Sequence, residues 1–489
     1  MADGFALVEA LGWVGQTAQA QAVLAQLAER VGNADDRLRL AASVGWVRFW
    51  CEFDVDGARD VLTEALRTAP AHCDATLLAE IHQELAGIAL NTARPAVALC
   101  HAEDAAAAEG VALAESNSAQ PAAASLTYLG RCGESLSLIE RALPLAHAEG
   151  HRFGVANLMF TRAGTLSRRG EVEEARKIAE WLRDVSLSGE HLHATAVFGM
   201  QLGEILMVQG QPASAARLFR DSSGLFAEYD VFGYRPWALS GLARARARLG
   251  QSEEATAALN EAPSLRHLER QFELSLFRAQ IEVNRLIGNE REAEAAAREG
   301  VAWARAAGMA IDEAYALDAC IRCRPSEPDA VRLTELESTV DSRLVSALAR
   351  RARALVDGDP EELLESSGEF AAMTVWWEAA DSAAEAARIL ERRHHERAAR
   401  AAVRLSAEHG ARCEGYRPPA GRGDMSAARL TPRESEVASL AAAGRSNREI
   451  ADQMHLSLRT VENHLQRAFV KLGVNDRSAL SKTLGASHS

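Results

Sequence analysis

The residues of this 489-residue chain with the most suggestive chemistry lie near its C-terminal end. Glu462, Asn463 and Gln466 alternate there with Val461, Leu465 and Phe469 at helical spacing. On one helix the apolar set turns inward and the three polar groups stand together on the outer side, with Arg467 beside them. Amide side chains of this kind pair with adenine edges, and a carboxylate accepts a hydrogen bond from the amino group of cytosine. Ser446, Asn447, Arg459, Thr460, Arg467 and Lys471 are candidates for phosphate contacts, which set register and most of the salt dependence of binding.

Other chemistries find no support. Cys320 and Cys323 form a lone CxxC. No second CxxC or close histidine pair completes a tetrahedral metal site, so the two read as helix packing. His394-His395 and His191-Leu-His193 have no carboxylate or cysteine cluster beside them and read as solvated. Trp376 and Trp377 are adjacent and so point to different helix sides, one toward the core and one available to line a pocket. Only three of the 54 basic residues are lysines: Lys177, Lys471 and Lys482. They follow Arg176, Val470 and Ser481, so the chain has no Gly-Lys pair with which a Walker A loop could wrap phosphates. No HExxH, nucleophile elbow or dinucleotide fingerprint occurs. The reading is a non-enzyme with no catalytic residue, no metal site and no cofactor.

The elements that must position the polar row are legible. Thr431-Pro432-Arg433-Glu434 is a helix start, with threonine as N-cap, proline at the first position and glutamate three residues on. Val437, Leu440 and Ala441 form its apolar side, and Gly444 stops it. Ser446-Asn-Arg-Glu449 is a second capping box, opening a helix with Ile450, Ala451 and Met454 inward. A third helix starts near Ser457 with Val461, Leu465, Ala468, Phe469 and Leu472 as its stripe, and Gly473 ends it. Asp476 caps a fourth through Leu484. Helices two and three, with their tight turn, make a helix-turn-helix, which places its later helix in a major groove.

These residues carry a family resemblance. Leu430-Thr431-x-Arg433-Glu434-x-Glu436-Val437, Gly444-x-Ser446-Asn447-x-Glu449-Ile450-Ala451, Ser457-x-x-Thr460-Val461-x-x-His464 and Lys471-Leu472-Gly473-Val474-x-x-Arg477 resemble the LuxR-type DNA-binding domain over about 55 residues. The resemblance implies that Glu462, Asn463 and Gln466 face bases and that DNA-bound copies pair through the last helix as a homodimer. Glu462 stands where many members have lysine, and Met454 where leucine is common.

The body ahead of this segment repeats. A small or turn-forming residue is followed five positions later by alanine or leucine opening an apolar stripe: Gly170 with Ala175, Gly210 with Ala215, Gly250 with Ala255 and Gly288 with Ala293. Weaker starts are Gly15, Phe53, Asn91, Gly133, Pro325, Gly358 and Arg393. A helix before each start, a glycine C-cap, an acidic turn and a second amphipathic helix make a hairpin too small to bury its own apolar face, so neighbours must stack into a solenoid. The units resemble tetratricopeptide-like repeats. The whole resembles MalT-like regulators, without the P-loop ATPase those carry.

The expected fold is therefore all-α: a helical-repeat solenoid over residues 1–410, a flexible linker over 411–428 rich in proline and glycine, and a four-helix LuxR-type domain over 429–489. Charge divides the same way. Residues 425–489 hold nine basic and six acidic side chains, +3, so the net charge of −14 leaves −17 on the rest. A basic end on an acidic body suits a polyanion-binding module joined to something else. Seven cysteines are too few and too odd in number for a disulfide scaffold. No basic-then-apolar leader or bilayer-length apolar run occurs, so no membrane partner is expected and the cytoplasm is the expected location. The partners expected are double-stranded DNA and an unknown small-molecule, peptide or protein ligand of the solenoid. The alternative is a scaffold whose solenoid recruits proteins to DNA. Because no Gly-Lys phosphate loop exists, ATP is expected neither to bind at micromolar levels nor to change DNA affinity. Calorimetry of the full chain with ATP checks this, and tight binding would overturn it.

Overall fold

A hairpin repeat needs a place to turn, and the chain supplies one about every forty residues. The computed structural model describes residues 2–228, 230, 233–264, 270–417, 432–454, 456–472 and 480. They fall into two compact units, Met1–Arg417 and Pro418–Ser489. Among the described residues every regular element is helical, and residues 2–410 form twenty-two α-helices paired as eleven hairpins.

One hairpin shows the local logic. Helix Arg152–Arg169 ends at Gly170, whose φ of 105° is a left-handed conformation that a side chain would oppose. Helix Val172–Ser188 then opens with Glu173 and Glu174 against its positive end. Its Ala175, Ile178, Ala179 and Leu182 are all buried, as their spacing predicts.

All eleven expected turns fall at hairpin turns, but four differ in detail. The left-handed residue is Ala93 rather than Asn91, Gly130 rather than Gly133, and His394 rather than Arg393. Near Pro325 there is no left-handed residue, because Arg324 and Ser326 are extended. A pattern keyed to small residues cannot tell which non-glycine residue adopts the left-handed turn. Gly133 lies inside helix Cys132–Ala148 and serves a distant contact, its amide donating to Asp341 at 2.8 Å.

That contact belongs to a second level of packing. The amide of Asp341 donates to the carbonyl of Gly130 (2.8 Å), and the amide of Glu414 donates to that of Gly210 (2.9 Å). The hydroxyl of Ser342 donates to the carbonyl of Arg168 (2.6 Å). A Cβ on Gly170 would fall 2.5 Å from Met373 Sδ, and one on Gly210 2.7 Å from Cys413 Sγ. Three successive hairpin turns thus receive chain from 174 to 211 residues later, the limits being Arg168 to Ser342 and Gly130 to Asp341 (341 − 130). One apolar core accordingly gathers buried side chains from as far apart as Cys132 and Ala379.

Charges are buried along the same wall. Glu378 accepts from Arg351 (2.5 Å) and Arg322 (3.1 Å) and lies 3.7 Å from Arg248. Burial works against its charge, but Arg322, Arg351 and Arg248 overcome that and hold the carboxyl well below its usual range. Arg351 also binds Asp318 (2.6 Å), Arg322 binds Asp381 (2.5 Å), and Arg248 binds Glu282 (2.9 Å). Arg244, fully buried, binds Glu204 at 2.7 Å. These pairs tie six successive hairpins together through their facing helices.

The segment expected to be linker from residue 411 begins differently. Residues 411–417 are laid against the repeats. The Tyr416 hydroxyl donates to Asp381 (2.9 Å). Ser214 donates to the Glu414 carboxylate from both its amide (2.8 Å) and its hydroxyl (2.7 Å). The Arg412 guanidinium lies 4.2 Å from the Trp376 ring centroid. The composition did not reveal the docking of 411–417, because Glu414 and Tyr416 find partners that exist only after the repeats have stacked. Residues 418–428 lie outside the described residues. Hydrogen bonds to charged groups contribute about 1.5–3 kcal/mol each. Glu414→Ala combined with Tyr416→Phe is therefore expected to speed amide exchange at Glu414 by about tenfold or more, with helical circular dichroism unchanged. Exchange at the parental rate would show that other contacts hold the segment.

Candidate nucleic-acid interface

Among the described residues the second unit shows three helices, Pro432–Ala442, Asn447–Met454 and Leu458–Leu472. The second helix opens on the expected capping box. Ser446 Oγ accepts from the Glu449 amide (3.3 Å), and the Glu449 carboxylate accepts from the Ser446 amide (2.7 Å). That backbone bond, with the side-chain bond to Ser446, holds the Glu449 carboxyl below its usual range. The third helix is capped by Ser457, whose Oγ accepts from the Thr460 amide at 3.1 Å. The turn between them closes where the Leu456 amide donates to the Ala451 carbonyl (2.9 Å).

The three helices share one core. Val437, Ala438, Ala441, Ile450, Ala451, Val461, Leu465, Ala468 and Leu480 are buried, with Leu440, Met454, Leu456 and Phe469 packed around them. Val461, Leu465 and Ala468 fix the rotation of the third helix. Glu462, Asn463 and Gln466 consequently lie exposed on its outer side, as does Arg459 near its start. Asn447 and Thr460 are half-buried and Ser446 is exposed, so all three flank the ends of the helices. The Ser446 hydroxyl is engaged with Glu449, accepting from its amide and bonding to its carboxylate. The Arg467 and Lys471 side chains, Thr431 and the helix expected over 476–484 lie outside the described residues, Leu480 excepted. Glu434, read as a capping carboxylate, is buried.

The remaining sequence candidates resolve in the first unit. Cys320 is buried in the core with Cys323 packed against it, as expected of helix packing. Both tryptophans are covered. Trp377 stands edge-on to Tyr416 with Arg248 over its ring, and Trp376 packs on His409 and Arg412. Both thus act as packing residues, with Tyr416 and Arg412 of the segment 411–417 against them. His191, His394 and His395 are exposed, but His193 is not solvated: it packs against Phe226 and Tyr234. One cluster escaped the sequence reading. His82, His101 and Asp104 converge across the hairpin Ala75–Asn91 and Pro95–Glu109. Their only sequence signal is the spacing of His101 and Asp104 by three, since His82 is joined to them by the fold alone.

Residues 428–483 match the family described as bacterial regulatory proteins, luxR family. The transcriptional activator protein BjaR1 of Bradyrhizobium diazoefficiens is 50% identical over 50 residues, 10% of this chain and 21% of that protein. The spore germination protein GerE of Bacillus subtilis is 45% identical over 49 residues, 10% of this chain and 66% of that protein. The tetrathionate response regulatory protein TtrR of Salmonella typhimurium is 54% identical over 43 residues, 9% of this chain and 21% of that protein. The chain thus spans about a fifth of the length of BjaR1 and TtrR. The repeats are similar in fold to a Rap protein crystallised with Competence and Sporulation Factor, with a TM-score of 0.52 and 14% identity over 74% of this chain and 98% of that one. The C-terminal unit is a LuxR-family helix-turn-helix domain, and the fold ahead of it is a tetratricopeptide-like helical repeat.

Loss of an N-cap costs about 1 kcal/mol. Ser446→Ala is therefore expected to destabilise the second unit by about that much and leave the repeats' unfolding transition unmoved. Calorimetric scans of the full chain check both halves of the expectation.

Proposed function

We propose that this chain is a cytoplasmic transcriptional regulator that binds double-stranded DNA through its LuxR-family domain. The helical repeats sense a ligand or partner and control that binding. It is not an enzyme, and it works on DNA as a homodimer. One observation carries the reading: the exposed row of Glu462, Asn463 and Gln466 on a helix whose opposite row is locked into a core. Asn463 and Gln466 read adenine edges, and Glu462 accepts from cytosine. Ser446, Asn447, Arg459 and Thr460, with Arg467 and Lys471, hold the phosphates.

A carboxylate on a groove-facing helix is repelled by phosphates and lowers affinity unless a base donates to it. Its retention in this row therefore argues for specificity rather than strength. The ordered segment 411–417 gives the repeats a route to the DNA-binding domain: anything that rearranges the wall around Asp381 or Ser214 also moves the start of the linker.

Selection from a random DNA library, run in parallel on the parent chain and four variants, tests the assignment. Glu462→Ala is expected to relax one base position while non-specific binding holds or rises. Asn463→Ala and Gln466→Ala should each cost about 1–3 kcal/mol at the cognate site and little elsewhere. Arg459→Ala should weaken all sequences alike and lower the salt slope by about one unit. If the three outer-row variants select the parental motif unchanged, this helix is not the reader.

A further inference from the structure

Outside the DNA-binding unit, one group of side chains is arranged for chemistry that neither the repeats nor the helix-turn-helix requires. In the hairpin of Ala75–Asn91 and Pro95–Glu109, His82 projects from the first helix. His101 and Asp104 project from the second, three residues apart and so on one face. The two Nδ1 atoms of His82 and His101 face each other at 3.2 Å. Asp104 Oδ2 lies 3.7 Å from His82 Nδ1, and all three donor atoms are within 4.8 Å of one another. The imidazoles are half-buried with centroids 5.4 Å apart, while the Asp104 side chain is 60% exposed. The donors therefore converge from the protein side and leave the opposite side open to water.

Two facing ring nitrogens form an awkward pair for a protein alone. Between neutral imidazoles one nitrogen must carry the proton and the other its lone pair, so one proton serves both and the nearby carboxylate gains nothing from the arrangement. A cation in that place uses every lone pair at once. With bonds of about 2.0–2.1 Å and tetrahedral angles, ligand atoms around zinc stand about 3.3 Å apart. The two nitrogens already stand at 3.2 Å, and the carboxylate, at 3.7 Å on an exposed side chain, has only a few tenths of an ångström to close. Two nitrogens and one carboxylate oxygen suit zinc, cobalt or nickel. Calcium and magnesium call for shells of oxygen.

We propose that His82, His101 and Asp104 form a binding site for a zinc-class divalent transition cation, with its remaining position open to water. Three protein ligands and one open place make an exchangeable site rather than a closed structural one. The cation pins the two helices of one hairpin to each other and stabilises the folded repeats as its concentration rises. This assignment is independent of how the C-terminal domain reads DNA.

The test uses the full chain freed of metal by a chelator. Titration with Zn2+ by calorimetry and with Co2+ by visible absorption is expected to show one equivalent bound, with the Co2+ spectrum that of a low-symmetry nitrogen and oxygen shell. Mg2+ should bind at least a hundredfold more weakly. His82→Ala and His101→Ala should each weaken Zn2+ by about a hundredfold or more. Asp104→Asn, a change at an exposed position that leaves the fold intact, should weaken it by about tenfold. Circular dichroism of the metal-free proteins checks folding of the two histidine variants. If the parent chain takes up no equivalent of Zn2+, or if the Asp104 and histidine variants bind it as tightly as the parent, the assignment is wrong and the pair is only a hydrogen-bonded couple.

Discussion

A two-helix repeat of about forty residues has more apolar surface than it can cover by itself, and most of this structure follows from that shortage. Each hairpin must present one face to the hairpin before it and another to the one after. Small side chains let the helices approach closely enough to do so: Ala163, Ala175, Ala179, Ala196 and Ala215 are all buried within the main core. The limit of that economy is seen at Phe219. Its ring fits between Gly203 and Gly241 on neighbouring helices, and a Cβ on Gly241 would fall 2.4 Å from it. A large side chain is accommodated where two others are reduced to hydrogen.

Stacking alone would leave every hairpin touching only its neighbours. Here the turns at Gly130, Gly170 and Gly210 also meet the chain near Asp341, Met373 and Cys413, so distant repeats share a core. Polar groups enter this core in matched sets. A carboxylate as buried as Glu378 would be untenable alone, and three arginines make it stable as an anion. Because Glu378 is neutralised by Arg322, Arg351 and Arg248, which come from three other hairpins, the charge network can form only when those hairpins are stacked. The docking of residues 411–417 is a consequence of the same wall, since Tyr416 and Glu414 find Asp381 and Ser214 only there.

The C-terminal unit solves a smaller problem. Among the described residues three short helices supply about one apolar face each, and their buried side chains, with Leu480, close the core. With so few contacts, caps carry a larger share of the stability, and both internal helix starts are capped by serine hydroxyls. The rotation of helix Leu458–Leu472 is set by Val461, Leu465 and Ala468, with Phe469 beside them. These side chains thus decide which polar ones stand exposed.

Local patterns were enough for the all-helical class, the forty-residue period, the capping box at Ser446 and Glu449, and the outer row of Glu462, Asn463 and Gln466. Each of these depends on residues within a turn or two of one another, and helical geometry is fixed over that distance. The same locality explains the near misses: the position of a hairpin turn was legible, but not that Ala93 or His394 would adopt its left-handed residue. What lay beyond reach was every pairing made across repeats. No spacing announces that Gly133 serves Asp341, that Glu378 gathers Arg248, Arg322 and Arg351, or that residues 411–417 are held rather than loose. Those contacts depend on how many hairpins separate two residues and on the angle each stack adds. That geometry accumulates over hundreds of residues, and only the assembled repeats specify it.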